Sequence, residues 1–244
     1  MGRIEVIPRL LDTFSRALWG IPANCALCQR PISGHPECHG VCPECRGEMA
    51  IEMSRVCLYC GIPVRSSTRC CPECLKRLHS FDCQRSAGLY RGHLRSAIAR
   101  MKYGGERWLS RPLGRLLAET AARLESADMI VPVPLDPKSA SKRGFNQAED
   151  LALEASVHLS IPIARALVRA QRGEHQAALS RSKRWRNIIG SMAPNGEVDV
   201  SGKTVLLVDD VMTTGATLNE AARVLKGMGA KTVLAVTVAR TVRH

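Results

Sequence analysis

Val205-Leu-Leu-Val208-Asp209-Asp210-Val211-Met212-Thr213-Thr214-Gly215-Ala216-Thr217 is the stretch from which the rest of this chain is read. Thr204–Val208 is a strand apolar enough to be buried on both faces, and it runs directly into two carboxylates. A turn of hydroxyls and glycine follows, and Thr217–Met228 then has the spacing of an amphipathic helix. In a parallel sheet such a strand–loop–helix step opens at the carboxyl ends of the strands, where ligands bind. Backbone amides of Thr213–Ala216 at the start of a helix form an anion-binding concavity, and the helix dipole adds to it. Gly215 lets a phosphate approach the backbone closely, and Thr213, Thr214 and Thr217 can donate further bonds. With Asp209 and Asp210 one sugar away, the stretch suits a sugar-phosphate whose hydroxyls donate to the carboxylates. Gly202-Lys203-Thr204 is a false P-loop, because it precedes the strand and Gly196 stands one residue too far upstream.

Outward from that step, strands and helices alternate. Ser86–Tyr90, Met129–Val133 and Thr232–Val238 read as strands; Leu94–Met101, Leu113–Leu124 and Ala148–His158 read as helices. The pattern predicts an α/β fold with a parallel sheet covered by helices on both faces. Gln171–Asn187 is polar, basic and weakly periodic, and reads as a mobile excursion from the sheet. In 244 residues, 45% hydrophobic and 23% charged, there is material for one sizeable core and a small appendage. No run of about 18 apolar residues is present, so no membrane span is expected. Met1–Trp19 carries Glu5 and Asp12 and lacks a signal-peptide pattern, which points to a cytoplasmic protein.

All 11 cysteines fall between Cys25 and Cys83, dividing the chain into residues 1–85 and residues 86–244. Eight of them form four Cys-x-x-Cys units: Cys25/Cys28, Cys42/Cys45, Cys57/Cys60 and Cys71/Cys74. Two such turns complete a tetrahedral thiolate shell, so eight ligands make two structural Zn²⁺ sites, a double zinc ribbon. Consecutive pairing is the simplest, and the spacing also permits an interleaved one. Cys38, Cys70 and Cys83 are spares, although Cys70 beside Cys71 could substitute for it; Leu10–Trp19 is read as an amphipathic helix packed on the ribbon, with a membrane surface as the alternative. Of the formal charge of +13, residues 86–244 carry the larger part, with Arg165, Arg169, Arg172, Arg181, Lys183, Arg184 and Arg186 clustered around Trp185. Such a segment fits either closure over a diphosphate or contact with single-stranded nucleic acid.

Leu207–Thr217 resembles the phosphoribosyl-diphosphate (PRPP) motif of type I phosphoribosyltransferases. Val131-Pro-Val-Pro134, Lys142-Arg-Gly-Phe-Asn-Gln147, Gln176–Asn187 and Met101–Gly105, placed behind a cysteine ribbon, resemble the ComF family of competence-associated, phosphoribosyltransferase-like proteins. That resemblance implies the following roles. Asp209 and Asp210 contact ribose hydroxyls and serve as the catalytic carboxylates, with Mg²⁺ arriving on PRPP. Met212, Thr213, Thr214, Gly215, Ala216 and Thr217 hold the 5′-phosphate. Lys138, Lys142 and Arg143, in the loop after Val133, face the diphosphate. Gln176, Arg181, Arg184 and Asn187 belong to a flexible closing loop. It also implies a part in handling single-stranded DNA during natural transformation, with other DNA-uptake proteins as partners. The alternative is an active phosphoribosyltransferase of nucleobase or nucleotide metabolism. No segment outside the core reads as a nucleobase hood, so the acceptor is not identified.

Overall fold

A computed structural model describes residues 24–32, 40–51, 55–64, 69–170 and 188–242. Four strands form a parallel sheet in the order β1-β6-β5-β2: β1 is Cys83–Leu89, β2 Met129–Pro132, β5 Thr204–Met212 and β6 Thr232–Arg240. Residues 162–164 extend it beyond β2, where Pro162 and Ala164 exchange backbone hydrogen bonds with Ile130 at 2.8 Å. A separate antiparallel pair joins β3 (Leu167–Arg169) to β4 (Met192–Pro194). The predicted excursion at Gln171–Asn187 lies between these two strands in sequence and outside the described residues.

Among the described residues, five helices flank the sheet: α3 (Gly92–Tyr103), α4 (Ser110–Ala121), α5 (Pro137–Arg143), α6 (Gln147–Leu159) and α7 (Ala216–Gly227). Two short ones, α1 (Pro43–Met49) and α2 (Pro72–Leu75), belong to the cysteine region, and each begins with proline immediately after a cysteine. Proline is tolerated there because the first turn has no intrahelical acceptor for its amide.

Strand alternation sorts the core into two layers. Leu206, Val208, Leu234 and Val236 pack with α3, α4 and α6 through Leu94, Ile98, Leu113, Leu117 and Leu151. Val205, Leu207, Val233 and Ala235 pack with α7 through Leu218, Ala221 and Leu225. The cysteines divide in the same way: Cys25, Cys42 and Cys45 join the first layer, and Cys57, Cys60, Cys71 and Cys74 the second. The appendage therefore grips the sheet from both sides.

Three details depart from the sequence reading. β1 starts at Cys83, three residues early, because Cys83 and Gln84 are buried against β6. β5 does not stop at Val208; its pairing with β6 continues through Asp209 opposite Thr237 to Met212 opposite Arg240. The segment expected as a loop after Val133 folds into α5, whose N-cap Asp136 accepts from the Ser139 amide at 2.9 Å. Gly144, with φ 73°, ends that helix in the left-handed region.

Candidate functional site

The acidic pair lies within the last turn of the pleat of β5, so its two side chains leave the strand on opposite faces. Asp210 points toward α3, where Lys102 Nζ lies 2.7 Å from its Oδ2 in a mostly buried ion pair. Asp209 faces the other layer, and its Oδ1 accepts the Asp210 amide at 2.8 Å. Burial, and then the negative charge of Asp210, push the Asp209 carboxyl up to about 7; the Asp210 amide, Lys102 and Arg169 oppose that rise. Arg169 reaches the site from β3, donating to the Pro134 carbonyl at 2.9 Å and to Ser191 Oγ at 3.2 Å. Burial lowers its guanidinium, while Asp136 and Asp209 act the other way. Two cations from distant segments thus converge on two adjacent carboxylates.

Beyond Met212 the chain turns through Thr213 and Thr214 to Gly215, the N-cap of α7, which has φ 80°. An L side chain resists that conformation. Thr214 Oγ1 accepts the Ala216 amide at 3.3 Å. Met212 and Ala216 are buried, so any part they play in holding a phosphate falls to their backbone. Thr213 is exposed at the mouth of the loop.

The Arg-Gly-Phe-Asn-Gln element shapes the turn beside this loop. Arg143 donates to Tyr103 Oη at 3.3 Å and to Gln147 Oε1 at 3.0 Å, and its guanidinium lies 5.0 Å from the centre of the Tyr103 ring. Asn146 caps α6 by accepting the Ala148 amide, and it donates to the Val133 carbonyl, both at 3.1 Å. Arg107 lies over Phe145 and clasps Asp150 at 2.6 and 2.8 Å. The Lys-Tyr pair of α3 thereby gains two partners that sequence alone did not supply: Lys102 for Asp210, and Tyr103 for Arg143. Lys142 is exposed at the end of α5. The Lys138 side chain, and Gln176, Arg181, Arg184 and Asn187, lie outside what the structure describes.

The eight Cys-x-x-Cys cysteines assemble as Cys25/Cys28/Cys42/Cys45 and Cys57/Cys60/Cys71/Cys74, each with all sulfurs within 4.8 Å of one another. Consecutive pairing is the one the fold adopts. Four sulfurs at about 2.3 Å from one tetrahedral ion lie about 3.8 Å apart; Cys28–Cys42 and Cys60–Cys71 measure 3.8 and 3.7 Å. Amides also point at the sulfurs, Cys42 N at Cys25 Sγ (3.4 Å) and Cys71 N at Cys57 Sγ (3.3 Å). Burial pushes the Cys25 thiol up, but the Cys42, Cys28 and Leu27 amides outweigh it and hold it near 7. Both groups could hold zinc. Cys71, not Cys70, provides the fourth sulfur of the second group; Cys38 lies outside the described residues.

Sequence reasoning passed over Arg169 except as one charge in a basic run, and it missed Arg240. Arg240 is buried at the end of β6 and donates to the Met212 and Thr213 carbonyls. A lone cation closing the apolar strand Thr232–Ala239 was the available signal.

A parallel α/β sheet with an acidic pair and a Thr-Thr-Gly turn at its carboxyl edge, gripped by two four-cysteine groups, defines a phosphoribosyltransferase-like protein. Residues 124–243 match the phosphoribosyl transferase domain family. The chain is 31% identical to Competence protein F of Haemophilus influenzae over 203 residues, which is 80% of this chain and 88% of that protein. It is 30% identical to the DNA utilization protein YhgH of Escherichia coli over 229 residues, 91% of this chain and 98% of that one. ComFC of Streptococcus pneumoniae is 28% identical over 180 residues, 67% of this chain and 77% of its own. The chain belongs to the ComF family. Among the described residues, no helix is long and apolar enough to cross a membrane.

Proposed function

We propose that this protein binds PRPP or a related sugar-phosphate at the carboxyl end of β5, with two structural Zn²⁺ ions in its cysteine groups, and acts in the cytoplasm in handling single-stranded DNA during transformation. The observation that carries the ligand is the convergence of Asp209, Asp210, Lys102 and Arg169 beside the Thr213–Gly215 turn. The turn and the first amides of α7 receive the 5′-phosphate. Asp209 and Asp210 accept from the ribose hydroxyls, which lets the ligand satisfy carboxylates that burial disfavours. Mg²⁺ arriving on PRPP neutralises its diphosphate, and Asp209 and Asp210 are the residues of this site suited to hold it. Lys142 and Arg143, in the last turn of α5, supply the positive charge that faces the diphosphate in this reading. In a transfer reaction the same carboxylates would favour positive charge on the ribose ring.

The DNA part of the reading rests on the names of the relatives and on the charge of +13, concentrated after residue 85. Calorimetry with PRPP and Mg²⁺ tests the ligand. The wild type is expected to bind, and the double variant Asp209→Asn/Asp210→Asn to lose binding; unchanged affinity sinks the assignment. Release of diphosphate with one particular nucleobase would instead make the protein an ordinary transferase.

A further inference from the structure

Arg240 closes β6 and is only 5% exposed, although its guanidinium carries a permanent charge. Its donors run in two directions. Nε donates to the carbonyl of Cys60 at 2.8 Å, a residue 180 positions away and a member of the second cysteine group. Nη1 donates to the carbonyls of Met212 at 3.0 Å, Thr241 at 2.8 Å and Thr213. Met212 and Thr213 lead into the Thr-Thr-Gly turn. One rigid, planar group therefore ties a metal-binding knuckle to the start of the phosphate loop. Both also line one cavity of about 250 Å³, to which Cys60, Cys71 and Cys74 contribute together with Thr214, Gly215 and Arg240.

We propose that Arg240 is a positioning residue that couples the second cysteine group to the phosphate loop, so that a metal ion held by Cys57, Cys60, Cys71 and Cys74 keeps the loop in its binding shape. The inference rests on reading that loop as the phosphate site. The physical chain is short. Ligation of Cys60 Sγ fixes the Cys57–Cys60 turn and hence the direction of the Cys60 carbonyl. A buried guanidinium must keep its acceptors, because an unpaired charge inside a protein is costly. When the Cys60 carbonyl swings away, the guanidinium has to follow it or find another partner, and either movement changes what Met212 and Thr213 receive. The first cysteine group packs on the opposite layer, where its own ties are Arg46 to Glu119 at 2.7 Å and Arg100 to the Ala26 carbonyl. Those ties lead to α3 and α4 rather than to the loop, so the two groups are expected to differ in their influence on ligand binding.

The test compares Arg240→Met, Cys74→Ser and, as a matched cut on the other group, Arg46→Met. Two readouts are taken: amide hydrogen exchange over residues 212–217 without ligand, and affinity for ribose 5-phosphate by calorimetry. Arg240→Met and Cys74→Ser are each expected to speed loop exchange and to weaken ribose 5-phosphate roughly tenfold or more, the scale of one hydrogen bond to a charged group. Combining them should add little, and Arg46→Met should leave the loop as it was. Metal content separates the causes, at two ions per chain for Arg240→Met and one for Cys74→Ser. Normal loop exchange in a folded Arg240→Met protein overturns the proposal, as does equal disturbance by Arg46→Met. Should Arg240→Met fail to fold, Arg240→Lys keeps the charge but cannot span both sets of carbonyls, and the same outcomes apply to it. If the wild type does not bind ribose 5-phosphate, the sugar-phosphate reading fails, while amide exchange still decides the coupling.

Discussion

Replacing Lys102 with methionine removes a positive charge 2.7 Å from Asp210 Oδ2, in a pair whose side chains are 15% and 12% exposed. What remains is a mostly buried carboxylate next to a second one, Asp209, whose carboxyl is already raised by burial and by that neighbour. Removing one partner of a buried pair costs about 3–5 kcal/mol, mainly through the charge left behind. Some solvent reaches this pair, so the lower end, about 3 kcal/mol, is the expectation. At about 2–4 °C per kcal/mol for a chain of this size, the melting midpoint should fall by about 6–12 °C. The loss should be larger at pH 8 than at pH 6. Lys102 is one of the charges that hold Asp209 down, so without it one proton bound at lower pH relieves the pair. Lys102→Met/Asp210→Asn should recover most of the loss, because it removes the stranded charge along with its partner. Thermal denaturation of the wild type, both single variants and the double variant at the two pH values measures the coupling directly. A midpoint within 2 °C of wild type for Lys102→Met, or strict additivity in the cycle, would refute the reasoning.

Gly215→Ala forces an L side chain to φ 80° and sets its Cβ 2.5 Å from Met212 Cε; it should cost about 1–2 kcal/mol and weaken ribose 5-phosphate, and equal affinity would remove Gly215 from the binding loop. Complete metal release by a thiol reagent should yield two zinc ions per chain and lower the melting midpoint; fewer than two would mean that one cysteine group binds no metal. Asp209 binds its proton more tightly in the fold than in the unfolded chain, where its pKa is 3.8. The native state therefore holds more protons between about pH 4 and 7, and this group's contribution to stability declines as pH rises through that window. Asp209→Asn should flatten that decline relative to wild type, and parallel stability curves for the two proteins would contradict the raised carboxyl.

Much of the architecture was legible because its signals are local. Four consecutive apolar residues, Val205–Val208, need burial on both faces, and the amphipathic spacing after Gly215 needs one buried stripe; both follow from backbone periodicity within a dozen residues. Cysteines at i and i+3 advertise metal ligation for the same reason. Boundaries were less legible. β5 runs through Asp209 and Asp210 because β6 continues to pair with it, and α5 replaces an expected loop because Asp136 and Gly144 cap a short helix. The candidate site was half visible: its acids and its turn are contiguous in sequence, whereas its cations come from α3, β3 and β6.

By itself, the sequence determined the strand–loop–helix step, the alternating α/β pattern, the eight cysteines at metal-ligand spacing and the resemblance to a family. Tertiary structure alone decided that the cysteines pair consecutively and that the two groups cap opposite faces of the sheet. It also decided that Lys102 answers Asp210 and that Arg240 bridges the second group to the Thr-Thr-Gly turn. Lys102 and Asp210 lie 108 residues apart in the chain, and Arg240 and Cys60 lie 180 apart. No periodicity links positions so far apart. Their meeting depends on strand order and on which face each side chain leaves, and a shift of one residue in a strand would send it to the other layer.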